Sequence, residues 1–235
     1  MIDLKKEFSD LIFKEKNHKY YLRGRELTSV TTLIKKYKSE FDAAYVSSKV
    51  AEKQDISVAD VLTMWGCNRD TACALGTAFH FYVEMYFKNY FWDTYPAHLY
   101  EQINKFNSFW INNRDRFLMV ACELRVYDEE LGIAGTVDAL VQNKKTGKFS
   151  IWDWKTNKSI KTENKFSSMK GCLSDLDDCD FNHYSLQISI YTEILKRKFP
   201  DLEFITGSLI HFPYNQHYEI MKIKDLSAEA IKILA

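Results

Sequence analysis

Three side chains near the middle of the chain have the types and spacing for phosphoryl chemistry. Asp138 lies in Gly135-Thr136-Val137-Asp138-Ala139-Leu140. Fifteen residues later, Asp153 and Lys155 lie in Ile151-Trp152-Asp153-Trp154-Lys155-Thr156. Each acid interrupts an apolar run that reads as a β-strand, where a charge is costly to bury unless it is paired or bound to metal. Residues two apart in a strand project from one face, so Asp153 and Lys155 aim a carboxylate and an ammonium at the same point. A hairpin of the two strands would bring Asp138 there too. Carboxylate oxygens hold Mg²⁺ or Mn²⁺. Such an ion polarises a phosphoryl oxygen and acidifies bound water. A nearby lysine can orient or deprotonate that water and neutralise charge developing on the phosphate. Phosphodiester hydrolysis needs that set of parts. The plainer alternative is a structural Asp153–Lys155 ion pair beside a buried turn aspartate.

Two helical pairs add to the constellation. Gly76 and His80, in Gly76-Thr77-Ala78-Phe79-His80, share a helix face, where glycine allows a backbone to come close and His80 can give a metal a nitrogen ligand. Glu84, one turn further, could orient His80 or reach a metal-bound water. Gln187 and Tyr191 form another i,i+4 pair, able to hold a DNA strand or the lysine. Taken singly, His80 reads equally as a packed helix histidine, and the second pair as a surface glutamine with an interface tyrosine.

The elements that must position these groups follow from periodicity. Residues 18–22 suggest a short strand before a turn at Gly24. Ser29-Val30-Thr31-Thr32-Leu33-Ile34 suggests a helix start capped by Thr28 or Ser29. Broken helical patterning runs to about residue 64, a longer helix spans Asp70 to about Asn89, and another runs from about Ala97 to Asn113. Strands are expected over 118–127, 133–142 and 148–154, with a hairpin turn at Asn143–Gly147. An irregular stretch, 156–181, precedes a helix from Tyr184 to Phe199, which ends before Pro200. Two strands, about 204–212 and 217–223, and a helix from Leu226 complete the chain. This order predicts an α/β fold: a mixed β-sheet core flanked by helices, with a helical N-terminal region laid across it. The 235 residues suit one domain, with a mainly helical arch over 1–115 and a catalytic sheet core over 116–235.

Composition narrows the classes. Hydrophobic residues at 46% and charged residues at 27% suit a globular chain rather than a disordered one. No apolar run approaches the ~20 residues that span a bilayer, so no membrane is expected. The start, Met1-Ile2-Asp3-Leu4-Lys5-Lys6, lacks a signal-peptide layout, which predicts a cytoplasmic protein. Cys67, Cys73, Cys122, Cys172 and Cys179 are odd in number and contain no Cys-x-x-Cys, so free thiols are expected. The formal net charge is zero, but ten Lys/Arg face four Asp/Glu between Lys5 and Lys38, and five lysines face Glu163 alone between Lys155 and Lys170. Acids gather at Asp175, Asp177, Asp178 and Asp180. Such runs are either solvated faces or local binding surfaces.

Taken in order, Gly76…His80, Gly135-Thr136-Val137-Asp138, Asp153-Trp154-Lys155 and Gln187…Tyr191 resemble the RecB-type nuclease family of the PD-(D/E)xK superfamily. The chain also looks like the phage and mitochondrial exonucleases of that group, in which a Ser-Val-Thr stretch, here Ser29-Val30-Thr31, precedes the histidine helix. The similarity covers about residues 18 to 212. It implies a restriction-endonuclease-like fold, with His80, Asp138, Asp153 and the Trp154 carbonyl as metal ligands and Lys155 as the catalytic lysine. Gln187 and Tyr191 would then stand behind the site, and Glu123 would be a further acidic ligand. It also implies metal-dependent DNA cleavage, commonly from single-stranded ends. Some relatives carry an iron–sulfur cluster that needs three cysteines after the Gln…Tyr helix. None follows Cys179, so no cluster is expected. No Gly-x-x-x-x-Gly-Lys-Ser/Thr loop occurs, so no ATP use is expected.

A DNA strand would then cross basic and aromatic groups. Arg23, Arg25, Lys35, Lys36 and neighbouring lysines could line a channel, with Ser29 and Thr31 on a phosphate and Lys158 in a second wall. Tyr20, Tyr21 and Tyr37 could stack on bases or belong to the core. Two alternatives share the same motifs: a flap- or junction-cutting endonuclease, and a nucleic-acid-binding protein that keeps the fold without activity.

Overall fold

Alternating apolar residues over 117–143 build a long antiparallel hairpin. Strand β4 (Phe117–Asp128) pairs with β5 (Ile133–Asn143) from Phe117↔Asn143 to Asp128↔Ile133, with a bulge between Met119 and Ala121. The Asn143–Gly147 turn closes the next hairpin. The Asn143 carboxamide oxygen accepts from Lys145 and Thr146 N–H at 3.0 Å each, and Gly147 takes φ 73°. Strand β6 (Phe149–Lys155) returns along β5. In this computed structural model, which describes residues 4–90 and 95–234, the sheet has eight strands. Met1–Asp3, read above for a leader, lie outside the described residues.

The N-terminal region is less helical than its sequence suggests. After a short helix α1 (Leu4–Glu7), strands β1 (Leu11–Lys14), β2 (Lys19–Leu22) and β3 (Arg25–Ser29) form a meander that joins the sheet through a parallel β3–β5 pair. Only β2 was legible. The runs at 11–14 and 25–29, four and five residues long, are too short to show an alternation. Helix α2 (Val30–Lys35) starts at the expected cap, with Ser29 Oγ accepting from Thr32 N–H at 3.0 Å. Helix α3 (Ala43–Gln54) is followed by α4 (Val58–Phe87), which begins twelve residues before the expected Asp70. A reciprocal Ser57/Asp60 capping box sets that start. Helix α5 (Tyr100–Asn113) agrees with its expected span.

The C-terminal half keeps its expected order. Helix α6 (Asp180–Lys198) begins four residues before Tyr184, because residues that look like loop formers are used to tie the loop down. Asp180 accepts from Lys161 N–H at 3.2 Å, and Asn182 donates to the Asp177 carbonyl at 2.8 Å. Strand β7 (Ser208–His211) pairs parallel with β6. Strand β8 (Glu219–Lys222) and helix α7 (Ser227–Leu234) complete the chain.

The result is an α/β fold with an open mixed sheet between two helical layers. On one face, Leu186, Ile190 and Ile194 of α6, with α2 and α7, pack on Leu124, Val137 and Ile151. On the other, Phe79 and Val83 of α4 and Phe106 and Phe109 of α5 pack on Trp152, Trp154 and Phe212. From Glu52 to Ala74 only Val61 is buried, so the α3–α4 hairpin carries mostly solvated faces. Among the described residues, no helix is long and apolar enough to cross a membrane. All five cysteines are free, with Cys122 and Cys179 buried.

One edge of β5 is shared by two strands. Strand β3 pairs with Ile133 and Ala134, and β6 pairs with Ala139 to Gln142. Between them the sheet forks, and Gly135–Asp138 lie at the fork. The Tyr191 ring enters there. A Cβ on Gly135 would stand 2.6 Å from its hydroxyl oxygen. Gly135→Ala is therefore expected to destabilise the protein by about 1–3 kcal/mol through overpacking. Gly66→Ala, in open space within α4, is expected to stabilise by about 0.5–1 kcal/mol. Urea denaturation of both variants checks the pair, and equal effects would mean that Tyr191 does not fill the fork.

Candidate metal centre

The pleat of β4 and β5 is interrupted where the acids sit. Val137 and Leu140, three apart, pack in the α6 layer, whereas Ala139 and Val141 face the α4–α5 layer. On β4, Ala121 and Leu124 do the same around Cys122. Strict two-residue alternation cannot produce this pattern. At the interruption Glu123 has φ 50°, the left-handed region that non-glycine residues seldom occupy. Such strain persists only where surrounding structure holds it, and it concentrates at functional sites. Cys122 and Leu124 pair with Ala139 and Val137, so Glu123 falls opposite Asp138.

Helix α4 supplies the third member of a cluster. His80 Nδ1 lies 3.1 Å from Glu123 Oε1 and 3.6 Å from Asp138 Oδ1. One ligand atom each from His80, Glu123 and Asp138 fall within 4.8 Å of one another, close enough to hold a metal ion together. His80 Nε2 lies 3.2 Å from the Trp154 carbonyl oxygen, and Asp138 Oδ2 accepts from Trp154 N–H at 2.9 Å. One nitrogen and two carboxylates form a donor set that fits a divalent cation such as Mn²⁺ or Mg²⁺.

Strand β6 places the remaining pair. Trp152 and Trp154 face α4 and α5, so Asp153 and Lys155 face α6. The Lys155 ammonium is ion-paired with Asp153 Oδ2 and lies 4.5 Å from the centroid of the Tyr184 ring. Tyr184 also accepts a hydrogen bond from the Asn157 carboxamide at 3.2 Å. Asp153 is thus committed to Lys155 and stands outside the His80–Glu123–Asp138 cluster. All five residues line one cleft of about 910 Å³.

Burial and mutual charge set the protonation of these groups. Burial pushes Asp138 up. It also raises Asp153, to about 6, against the pull of Lys155. Burial alone would lower His80, but the Asp138 charge and the Glu123 hydrogen bond outweigh it and raise His80 to about 9. The same contest leaves Lys155 above its usual value, with the Asp153 and Asp138 charges winning over burial. Both bases are therefore cationic at neutral pH in the metal-free protein, balancing the acids around them.

The other residues singled out by sequence divide into two groups. Gly76, Glu84, Gln187, Tyr191, Ser29, Thr31 and Tyr20 line the same cleft. Gly76 meets no backbone there, since its nearest neighbour would be Thr156 Oγ1 at 3.8 Å in ordinary contact. Glu84 pairs with Lys88 at 2.7 Å rather than with His80. Gln187 donates to the Tyr191 hydroxyl at 3.4 Å, and among the described residues no hydrogen bond joins either to Lys155. That position belongs to Tyr184, one turn before Gln187 on the same helix, which sequence reasoning missed although its spacing was visible. Ser29 is occupied as a helix cap.

The basic residues predicted for a channel lie away from the cleft lining. Arg23 pairs with Asp10 and Glu129, and Arg25 lies over Gly132. Lys36 lines a separate hollow with Leu33 and Ile233. Lys35 and Lys158 are exposed. The acids at 175–180 serve the loop: Asp178 accepts from Ser39 N–H at 2.5 Å and contacts His183 Nε2 at 2.6 Å.

A metal ligand must shed its proton, so metal and proton compete at His80. Mn²⁺ affinity is expected to rise about tenfold per pH unit between about 6 and 9 for one displaced proton, and His80→Gln should flatten that slope. Without metal the sign is opposite. The stability due to the raised His80 is fully present below pH 6.5 and fades as pH rises through about 9. Mn²⁺ should raise Tm in the wild type and leave Tm of Asp138→Asn unchanged. An equal rise in both would place the ion elsewhere.

No protein-family model matches the chain and no curated protein matches it, so the site stands on its own geometry.

Proposed function

We propose that the chain is a metal-dependent deoxyribonuclease with a restriction-endonuclease-like core, acting on single-stranded DNA ends. The observation that carries this reading is one cleft holding two distinct charge systems: the His80–Glu123–Asp138 cluster and the Asp153–Lys155 pair. A metal-binding cluster alone would serve many purposes. A paired, protonated lysine beside it adds a fixed positive charge where a phosphoryl group would gain negative charge.

A divalent cation held by His80, Glu123 and Asp138, with the Trp154 carbonyl adjacent, would supply a polarised phosphoryl oxygen and an acidified water. The chain's own residues do the rest. Lys155 remains protonated and neutralises charge on the phosphate, so it is an electrostatic group rather than a general base. Asp153 fixes the position of that ammonium, and the Tyr184 ring covers its other side. The aromatic layer around Trp152 and Trp154 keeps β6 rigid beneath both.

End-labelled single-stranded DNA with Mg²⁺ or Mn²⁺ tests the proposal. Lys155→Ala is expected to lower kcat by about 10²–10³ with the fold intact. Asp153→Asn should also lose activity, by leaving the ammonium unheld. Undiminished cleavage by either purified variant would remove the mechanism. Circular single strands should resist cutting if the enzyme needs an end. Their cleavage would mark an endonuclease instead.

A further inference from the structure

We infer that Arg125, set over the Phe13 ring of the β1–β2 hairpin, is a specificity subsite for the phosphodiester next to the one at the metal centre. The inference rests on the nuclease reading above and locates a second contact along the strand.

The cleft wall opposite α4 is built from the N-terminal meander. Phe13 and Tyr20, paired across β1 and β2, lie 4.7 Å apart at 33° between ring planes. His18, at φ 51° in the turn, meets Phe13 edge-on at 5.0 Å. Tyr20 is tied to β5 by a 2.9 Å hydrogen bond with Thr136. These contacts make the wall rigid, which the alternating charges of 11–22 do not suggest.

Arg125 lies against this wall, with its guanidinium carbon 5.7 Å from the Phe13 centroid. A cation–π contact uses no N–H donor, so the guanidinium fork remains available to grip two phosphate oxygens. Arg125 is exposed to the cleft, and among the described residues it has no carboxylate partner. Its neighbours differ. Lys88 and Lys155, in the same cleft, are ion-paired with Glu84 and Asp153, while Lys5 lines it from the short helix α1. An uncompensated, pre-oriented cation in a cleft with a deep acidic floor suits a polyanion whose other charge meets a metal.

Position narrows the role. Arg125 follows Glu123 by two residues on β4 and lines the same cleft as His80, Glu123 and Asp138, so a strand with one phosphate at the cation site can present a neighbouring phosphate to it. If Arg125 only covered Phe13, its charge and fork would be immaterial.

Single-stranded DNA bearing one neutral methylphosphonate linkage, moved stepwise along the strand, tests this with Mg²⁺. Arg125→Gln is expected to lower kcat/KM on all-phosphate DNA about tenfold or more, mainly through KM, and to reduce the salt slope by about one. In the wild type, one linkage beside the cleaved one should cause a similar loss when neutralised. In Arg125→Gln that linkage should add nothing further. Arg125→Lys, keeping charge without the fork, should fall between. If Arg125→Gln and Arg125→Lys respond to every neutral linkage as the wild type does, the subsite is wrong and the nuclease reading stands. If the wild type cleaves none of the strands, both fall.

Discussion

The hydrogen bond from Trp154 N–H to the Asp138 carboxylate holds the site together. Where β3 and β6 part along β5, ladder pairing stops, and a buried N–H on β6 would lack its acceptor. Asp138 supplies that acceptor from β5 and leaves its other oxygen toward His80 and Glu123. One side chain therefore closes a structural gap and faces the cation site. Tyr191 fills the rest of the fork against Gly135, which is why α6 can lie so close to the sheet. The Trp154 carbonyl, next to the bonded amide, is thereby held within reach of His80.

Charge explains the rest of the arrangement. Three acids beneath one cleft repel one another, and burial raises Asp138 and Asp153 further. Lys155 and protonated His80 offset this without metal, each drawn above its ordinary pKa by those acids. The left-handed backbone at Glu123 adds a local cost. A chain selected for stability alone would replace such a cluster with apolar residues. Strain and like charge converge at this one place, and a cation would offset the repulsion among the carboxylates.

Much of the chemical centre was legible in the sequence, since acids inside apolar strands and a two-residue Asp153–Lys155 spacing carry direct geometric meaning. His80 was legible from helical spacing, and Glu123 only through family resemblance, because nothing local marks its backbone. The division of labour was not legible. Asp153 is ion-paired with Lys155, while Glu123 lies beside His80 and Asp138, an arrangement that depends on contacts between distant elements. The hairpins and α5 followed their periodicity. In the N-terminal meander β2 was legible, whereas β1 and β3 are short and stabilised by pairing rather than by pattern. Local lysine density does not predict which residues line the cleft, since tertiary contacts decide it: Arg23 pairs with Asp10 and Glu129. Arg125, isolated in charge and surrounded by apolar residues, gave no such signal.

The proposed binding of one cation by His80, Glu123 and Asp138, beside the Asp153–Lys155 pair, can be checked by anomalous scattering from crystals equilibrated with Mn²⁺. It requires a manganese peak within coordination distance of His80 and both acids, with Lys155 still paired to Asp153. A fully occupied peak elsewhere, or none at saturating Mn²⁺, would contradict it.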